Sequence, residues 1–219
     1  MLNHSFYLLF VALFAIACGG SDAPAAETGD AISATGAQAS QGVTYMVDPA
    51  ASQVTWVGSK PTGTHTGTFD VSAGKMMVNG DNITGGEFTI DIASLTVTDL
   101  DEENGKGKLE GHLTSADFFE TEKYPDAKFE IASITPISDM EGATHKMVGN
   151  LSMHGESKSV SIPVNVSMSG DKLMATTPAF TINRTDWNIK YGSGLIGTAQ
   201  DKLINDDVEL TIKLEAKKA

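Results

Sequence analysis

Two histidines, an arginine–aspartate pair, an acidic run and one cysteine are the side chains here whose types and spacing invite chemistry. His112, followed by Leu113, and His154, within Leu151-Ser152-Met153-His154-Gly155, could each hydrogen-bond a polar group at the edge of a cavity. A bond to a neighbouring loop carbonyl is the commoner fate of such a residue. Arg184 and Asp186, two apart, are spaced for a local ion pair at a strand end rather than for a ligand clamp. Asp99, Asp101, Glu102 and Glu103 crowd together as a calcium site would, yet the ligand spacing and glycine of a calcium loop are missing. They read as a solvated helix start, and no metal or cofactor is expected.

The motifs that mark common catalytic sites are absent. There is no G-x-S-x-G elbow, no H-E-x-x-H, no C-x-x-C and no glycine-rich phosphate loop between a strand and a helix. Scattered Ser, His and Asp residues could still meet as a hydrolytic triad, because triads are spatial rather than sequential. The expected reading is a binding protein and not an enzyme.

Cys18, the only cysteine, has no partner for a disulfide within the chain. It follows Phe6 to Ala17, an uncharged and almost wholly apolar stretch too short for a bilayer-spanning helix of about 20 residues. That stretch reads as the core of a signal peptide covering residues 1–17. Ala15-Ile16-Ala17-Cys18-Gly19 resembles a bacterial lipobox, with Ala15 where leucine is usual, so Cys18 is the expected lipidation site. A plain secretory signal with an incidental cysteine is the alternative. Residues 18–42 are small and polar with almost nothing to bury, which suits a flexible tether holding a domain over residues 43–217 off the membrane surface. The expected location is the cell envelope, on the periplasmic side.

The elements that must position these residues follow from the apolar period. With 219 residues and 41% hydrophobic content, the chain has room for one domain with one core. Val160, Ile162, Val164, Val166 and Met168 alternate at period two, as do Val54 with Trp56, Phe88 with Ile90 and Ile92, and Val208 with Leu210, Ile212 and Leu214. Turn signals such as Asn79-Gly80-Asp81-Asn82 and Ser169-Gly170-Asp171 separate the runs, giving roughly eight to ten antiparallel strands. The fold class is therefore all-β. A sandwich also fits, but a barrel of about eight strands leaves no unpaired edge and can hold one small ligand. Between Asp99 and Tyr124 the period changes: Leu109, Leu113, Phe118 and Phe119 fall at helical spacing before Pro125. One or two short helices are expected there, capped at Asp99 and Ser115. The net charge of −13, with no basic cluster, excludes a nucleic-acid surface and suits a soluble protein with an oily interior.

Several stretches, in order, resemble the YceI-like family. They are Val47-Asp48-Pro49 with Ser52 and Val54, Gly67-Thr68-Phe69, and Ile90-Asp91-Ile92 with Ser94-Leu95. More specific are His112-Leu113-Thr114-Ser115-Ala116-Asp117-Phe118-Phe119-Glu120 with Lys123-Tyr124-Pro125, then Gly149 to Lys158, and Ile182-Asn183-Arg184-Thr185-Asp186-Trp187. Glu110-Gly111 stand where members often carry a basic residue. The resemblance implies a lipocalin-like barrel that binds a polyisoprenoid lipid, and dimerisation is common among such proteins, although nothing in these residues demands a homodimer. Expected lining positions are Phe69, Phe88, Ile90, Phe129, Ile131, Leu151, Met153, Phe180, Ile182 and Trp187, with His112 at the mouth. The alternative is that these residues fill a solid core and that the loops bind protein or sugar. A quinone, a polyprenyl phosphate or another long-chain apolar lipid would each suit apolar walls.

Overall fold

The computed structural model describes residues 21–33, 42–80, 82–138 and 140–219, the side chain of Asp201 excepted. The signal segment, Cys18 and residues 34–41 lie outside these. Among the described residues eleven strands form one sheet: β1 (Glu27–Asp30), β2 (Val43–Val47), β3 (Gln53–Lys60), β4 (Gly63–Asn79), β5 (Asn82–Val97), β6 (Asp126–Pro136), β7 (His145–Met153), β8 (Glu156–Ser169), β9 (Lys172–Thr176), β10 (Phe180–Asn183) and β11 (Asp207–Lys218). The strand-to-strand pairings are antiparallel, as the short connections predict.

The sheet closes on itself into a ring of eight strands. β4 to β8 pair in sequence order, β8 pairs with β9, β9 with β11, and β11 returns to β4 through β3 at one end and β2 at the other. Closure removes the free edges that an open sheet of this size would expose. The two long strands, β4 and β5, shift register at three bulges, between Thr68 and Asp70, Val71 and Ala73, and Met77 and Val78. Such bulges bend a strand and let a sheet curl. Curling also needs close backbone approach. A methyl on Gly67 would sit 2.3 Å from Trp56 Cζ2, and one on Gly149 would sit 2.5 Å from Phe129 Cζ, so at both positions a ring lies flat against bare backbone.

The N-terminal tether departs from expectation. Residues 27–30 are the strand β1, paired antiparallel with Ser161 to Lys158 of β8. Immediately before it, the Thr181 N–H donates to the Pro24 carbonyl at 3.0 Å and the Ala26 N–H to the Thr181 carbonyl at 2.8 Å. β9 and β10 both run along β11, separated by Pro178, but only β9 reaches β8. Residues 24–30 fill the gap that opens between β8 and β10. The segment has no apolar period because its strand side chains are all exposed; main-chain hydrogen bonds to two waiting edges hold it. A tether free along its whole length is thus corrected for residues 21–33, where Ile32 also bonds Asn150 of β7.

Among the described residues the one α-helix, α1 (Lys106–Thr114), lies between β5 and β6. It starts at Gly105, whose φ of 99° suits glycine, and not at Asp99. Asp99 instead accepts from the Thr66 N–H at 2.9 Å and contacts His65 Nδ1 at 2.9 Å, tying the β5 exit to β4. Ser115 ends α1, and residues 115–124 are turns. Among the described residues no helix is long and apolar enough to cross a membrane.

Candidate functional site

The inward faces of the strands produce two different interiors. Toward the end carrying the β4–β5 and β8–β9 hairpins, Tyr45, Val47, Met76, Val78, Ile83, Ile131, Leu173 and Ala216 pack as a solid floor. Toward the other end the walls separate around a cavity of about 490 Å³. That volume lies within the usual span of small-molecule sites, and its lining is overwhelmingly apolar. A solid core is therefore not what the sequence builds.

Phe69, Phe88, Ile90, Phe129, Leu151, Met153, Phe180 and Ile182 line this cavity. Phe88 and Phe129 stack across the β5–β6 pair with centroids 6.5 Å apart and an interplanar angle of 17°. Two expected positions do not line it. Ile131 is one inward step deeper than Phe129 on β6 and belongs to the floor, close over Gly86. Trp187 lies on a 3-10 turn (Arg184–Trp187) after β10, fully buried, with Nε1 donating to the Leu151 carbonyl at 2.9 Å. It backs the wall rather than forming it.

Further lining residues share the strand period with those expected: Val54 and Trp56 on β3, Ile162 and Val164 on β8, and Leu210, Ile212 and Leu214 on β11. They were not among the expected lining positions, although the same alternation marks their faces. Phe118 and Phe119 come from the turns after α1, and Phe119 meets Phe69 edge-on at 5.5 Å. Trp56 Nε1 has no hydrogen-bond partner among the described residues, an unsatisfied donor in a largely apolar wall.

The mouth is marked by lining residues that also reach solvent, among them Lys60, Tyr191 and Lys202. α1 and the connection from β10 to β11 frame it. His112 stands on the last turn of α1, edge-on to both Phe118 and Tyr191 at 5.2 and 4.8 Å, with Nε2 3.3 Å from Asp117 Oδ2. His154 takes the structural role: its Nδ1 is 3.1 Å from the Trp187 carbonyl and its ring packs on Tyr124. Glu110, where a basic residue might have served a headgroup, accepts from the Val97 N–H at 2.8 Å and fastens α1 to β5.

Arg184 pairs with Asp206 rather than with Asp186. Its Nη2 donates to Asp206 Oδ1 at 3.0 Å and to the Ile204 carbonyl at 3.2 Å, its Nη1 to the Ile189 carbonyl at 2.7 Å, and its Nε to the Asn205 carbonyl at 3.1 Å. Asp186 accepts instead from Thr28 of β1 at 2.8 Å. The expected pair fails because residues 184–187 turn as a 3-10 helix, which removes the same-face geometry of an extended strand. Burial draws the Arg184 guanidinium below its ordinary pKa, and Asp206 opposes that shift. With its donors directed at loop carbonyls, Arg184 closes the β10–β11 connection over the cavity.

The family model described as the YceI-like domain matches residues 45–216. A Pseudomonas putida protein described as a UPF0312 protein is 36% identical over 87 residues, which is 36% of this chain and 42% of that protein. The match thus spans less than half of the relative's length. Among solved structures, Burkholderia cenocepacia BcnA superposes with a TM-score of 0.62 at 24% identity, covering 78% of this chain and 99% of the other. A Saccharophagus degradans structure described as a polyisoprenoid binding domain implicated in plant cell wall breakdown gives 0.60 at 20% identity, covering 81% and 99%. At these identities the likeness is one of fold.

Proposed function

We propose that this chain, which belongs to the YceI-like family, binds a long-chain apolar lipid of the isoprenoid type and sequesters or carries it in the cell envelope. The observation that carries the reading is the apolar cavity of about 490 Å³ above a solid floor. Each buried carbon contributes about 0.8 kcal/mol, so one five-carbon isoprene unit contributes roughly 3–4 kcal/mol before ordering costs. A few units suffice for tight binding without a headgroup clamp. The Saccharophagus degradans structural neighbour, described as a polyisoprenoid binding domain, points to the same class of ligand.

Quinones and polyprenyl compounds are the favoured ligands, since both are isoprenoid chains with a compact polar end. The chain would lie against Phe88 and Phe129, and the polar end would rest at the mouth beside His112 and Lys60. Catalysis has no part in this reading. Cys18, outside the described residues, is proposed as the lipidated anchor after removal of residues 1–17, which would put the protein on the periplasmic face of a membrane.

A titration tests the binding. An apolar fluorescent probe such as a conjugated polyene fatty acid should gain emission on entering the protein and be displaced by ubiquinone or a short polyprenol. Displacement by equal amounts of a soluble sugar or peptide, or no uptake of the probe, would contradict the proposal.

A further inference from the structure

The connection between β10 and β11 carries an exposed apolar tip beside the cavity mouth. Its base is pinned: the Ile204 N–H donates to the Gly192 carbonyl at 2.8 Å, and the Asn205 N–H donates to the Ser59 carbonyl at 2.8 Å. The excursion between is also held. Ser193, fully buried, donates through Oγ to Asp206 Oδ2 at 2.8 Å and accepts from the Leu195 N–H at 3.1 Å, while Thr198 Oγ1 donates to the Ser193 carbonyl at 2.7 Å. At the tip, on a 3-10 turn (Gly194–Ile196), Leu195 is 73% exposed and Ile196 59%. Two adjacent aliphatic side chains are thus offered to solvent by an ordered turn, whose neighbours Tyr191, Leu203 and Ile204 line the cavity.

Single exposed apolar residues are ordinary, but a contiguous pair continuous with an apolar cavity marks a contact surface. Three lysines stand around it. Lys60 and Lys202 line the mouth, Lys190 opens the loop, and none has an acidic partner at ion-pair distance among the described residues, which exclude the Asp201 side chain, in a chain of net charge −13. Lysines beside exposed aliphatic and aromatic side chains are the combination that sits at a bilayer interface, with ammonium groups at phosphate level. We infer that the loop over residues 190–205 is a docking surface for the lipid bilayer, through which the mouth is presented to a phospholipid leaflet and the apolar cargo passes without crossing water. The inference rests on the proposed apolar cargo for its purpose, but the surface can be tested separately. Its position agrees with the N-terminus: Ser21 hydrogen-bonds Glu209 of β11 in the mouth half of the ring, only three residues from Cys18.

Cys18 is the only cysteine, so in the full-length Cys18→Ser protein a cysteine introduced at Ile196 takes a bimane label uniquely. A second protein carries the label at Met174, an exposed position on β9 at the opposite end of the ring. Both are mixed with vesicles of phosphatidylethanolamine and phosphatidylglycerol containing a doxyl-labelled lipid. The Ile196 label should shift to the blue and be quenched, the Met174 label should do neither, and Leu195→Asp should abolish the effect at Ile196. Equal behaviour of the two labels would overturn the inference, including the case in which Phe6 to Ala17 alone attaches the protein to vesicles. If the Ile196 label is quenched but organic extraction of the protein yields no lipid, the cargo reading falls and the docking surface stands. If lipid is extracted but the Ile196 label stays unquenched, the docking surface falls and the cargo reading stands.

Discussion

Arg184 is 4% exposed, and four of its hydrogen bonds end on Ile189, Ile204, Asn205 and Asp206. Arg184→Met would keep the bulk and strand those acceptors, so we expect a loss of about 3 kcal/mol in chemical denaturation. Increased proteolysis within residues 190–205 should accompany it. Phe129→Asp would place a charge against the stacked Phe88 ring; the variant should lose at least about 3 kcal/mol and fail to retain lipid. Wild-type stability in that variant would contradict the inward placement. Asp99 gives a pH test. Its burial favours protonation, but the Thr66 N–H and His65 outweigh that and hold the carboxyl below its ordinary pKa. A lowered carboxylate stabilises the fold above its unfolded pKa of about 3.9 and loses that contribution as pH falls through the folded value. Thermal melts should therefore show wild type above Asp99→Asn at neutral pH, with the gap closing near pH 3. At this scale the sequence was legible where period two governed, as with Phe69, Phe88 and Phe129. It misled at Ile131, because alternation gives the face of a strand and not the depth along it, and at Trp187, because a 3-10 turn replaced the strand.

Among the elements, β1 shows what local pattern cannot reveal. Glu-Thr-Gly-Asp over residues 27–30 has no apolar side and weak strand propensity, and it pairs only because β8 and β10 diverge and leave main-chain groups unmatched. The demand arises some 130 residues away in the chain, about as far as Ser159 lies from Gly29. Deleting residues 21–30 should accelerate hydrogen exchange at Thr181, whose N–H donates to Pro24, and along Lys158 to Ser161, while Leu173 to Ala175 on β9 keep their protection. Unchanged exchange at Thr181 would show that the segment does not fill the gap between β8 and β10. The helix between β5 and β6 was visible from Leu109 and Leu113, yet its start was misplaced, because Asp99 serves β4 and the left-handed Gly105 begins the helix.

For the whole molecule, closure of the sheet and division of its interior follow from the same alternation read around the ring. Small residues and bulges let the strands curl, the floor fills one end, and rings and branched aliphatics line the other. The antiparallel strands and their approximate number were within reach of the sequence, but the boundary between floor and cavity depends on which side chains meet across the ring. The net charge of −13 is like charge that opposes self-association. Whether the cavity holds an isoprenoid-type lipid is read most directly by mass spectrometry of an organic extract from the Cys18→Ser protein, purified in native form without detergent. The extract should contain a stoichiometric isoprenoid such as a quinone or polyprenol, reduced or absent in Phe129→Asp. A folded wild-type protein that yields no apolar compound, and takes up none when offered, would contradict it.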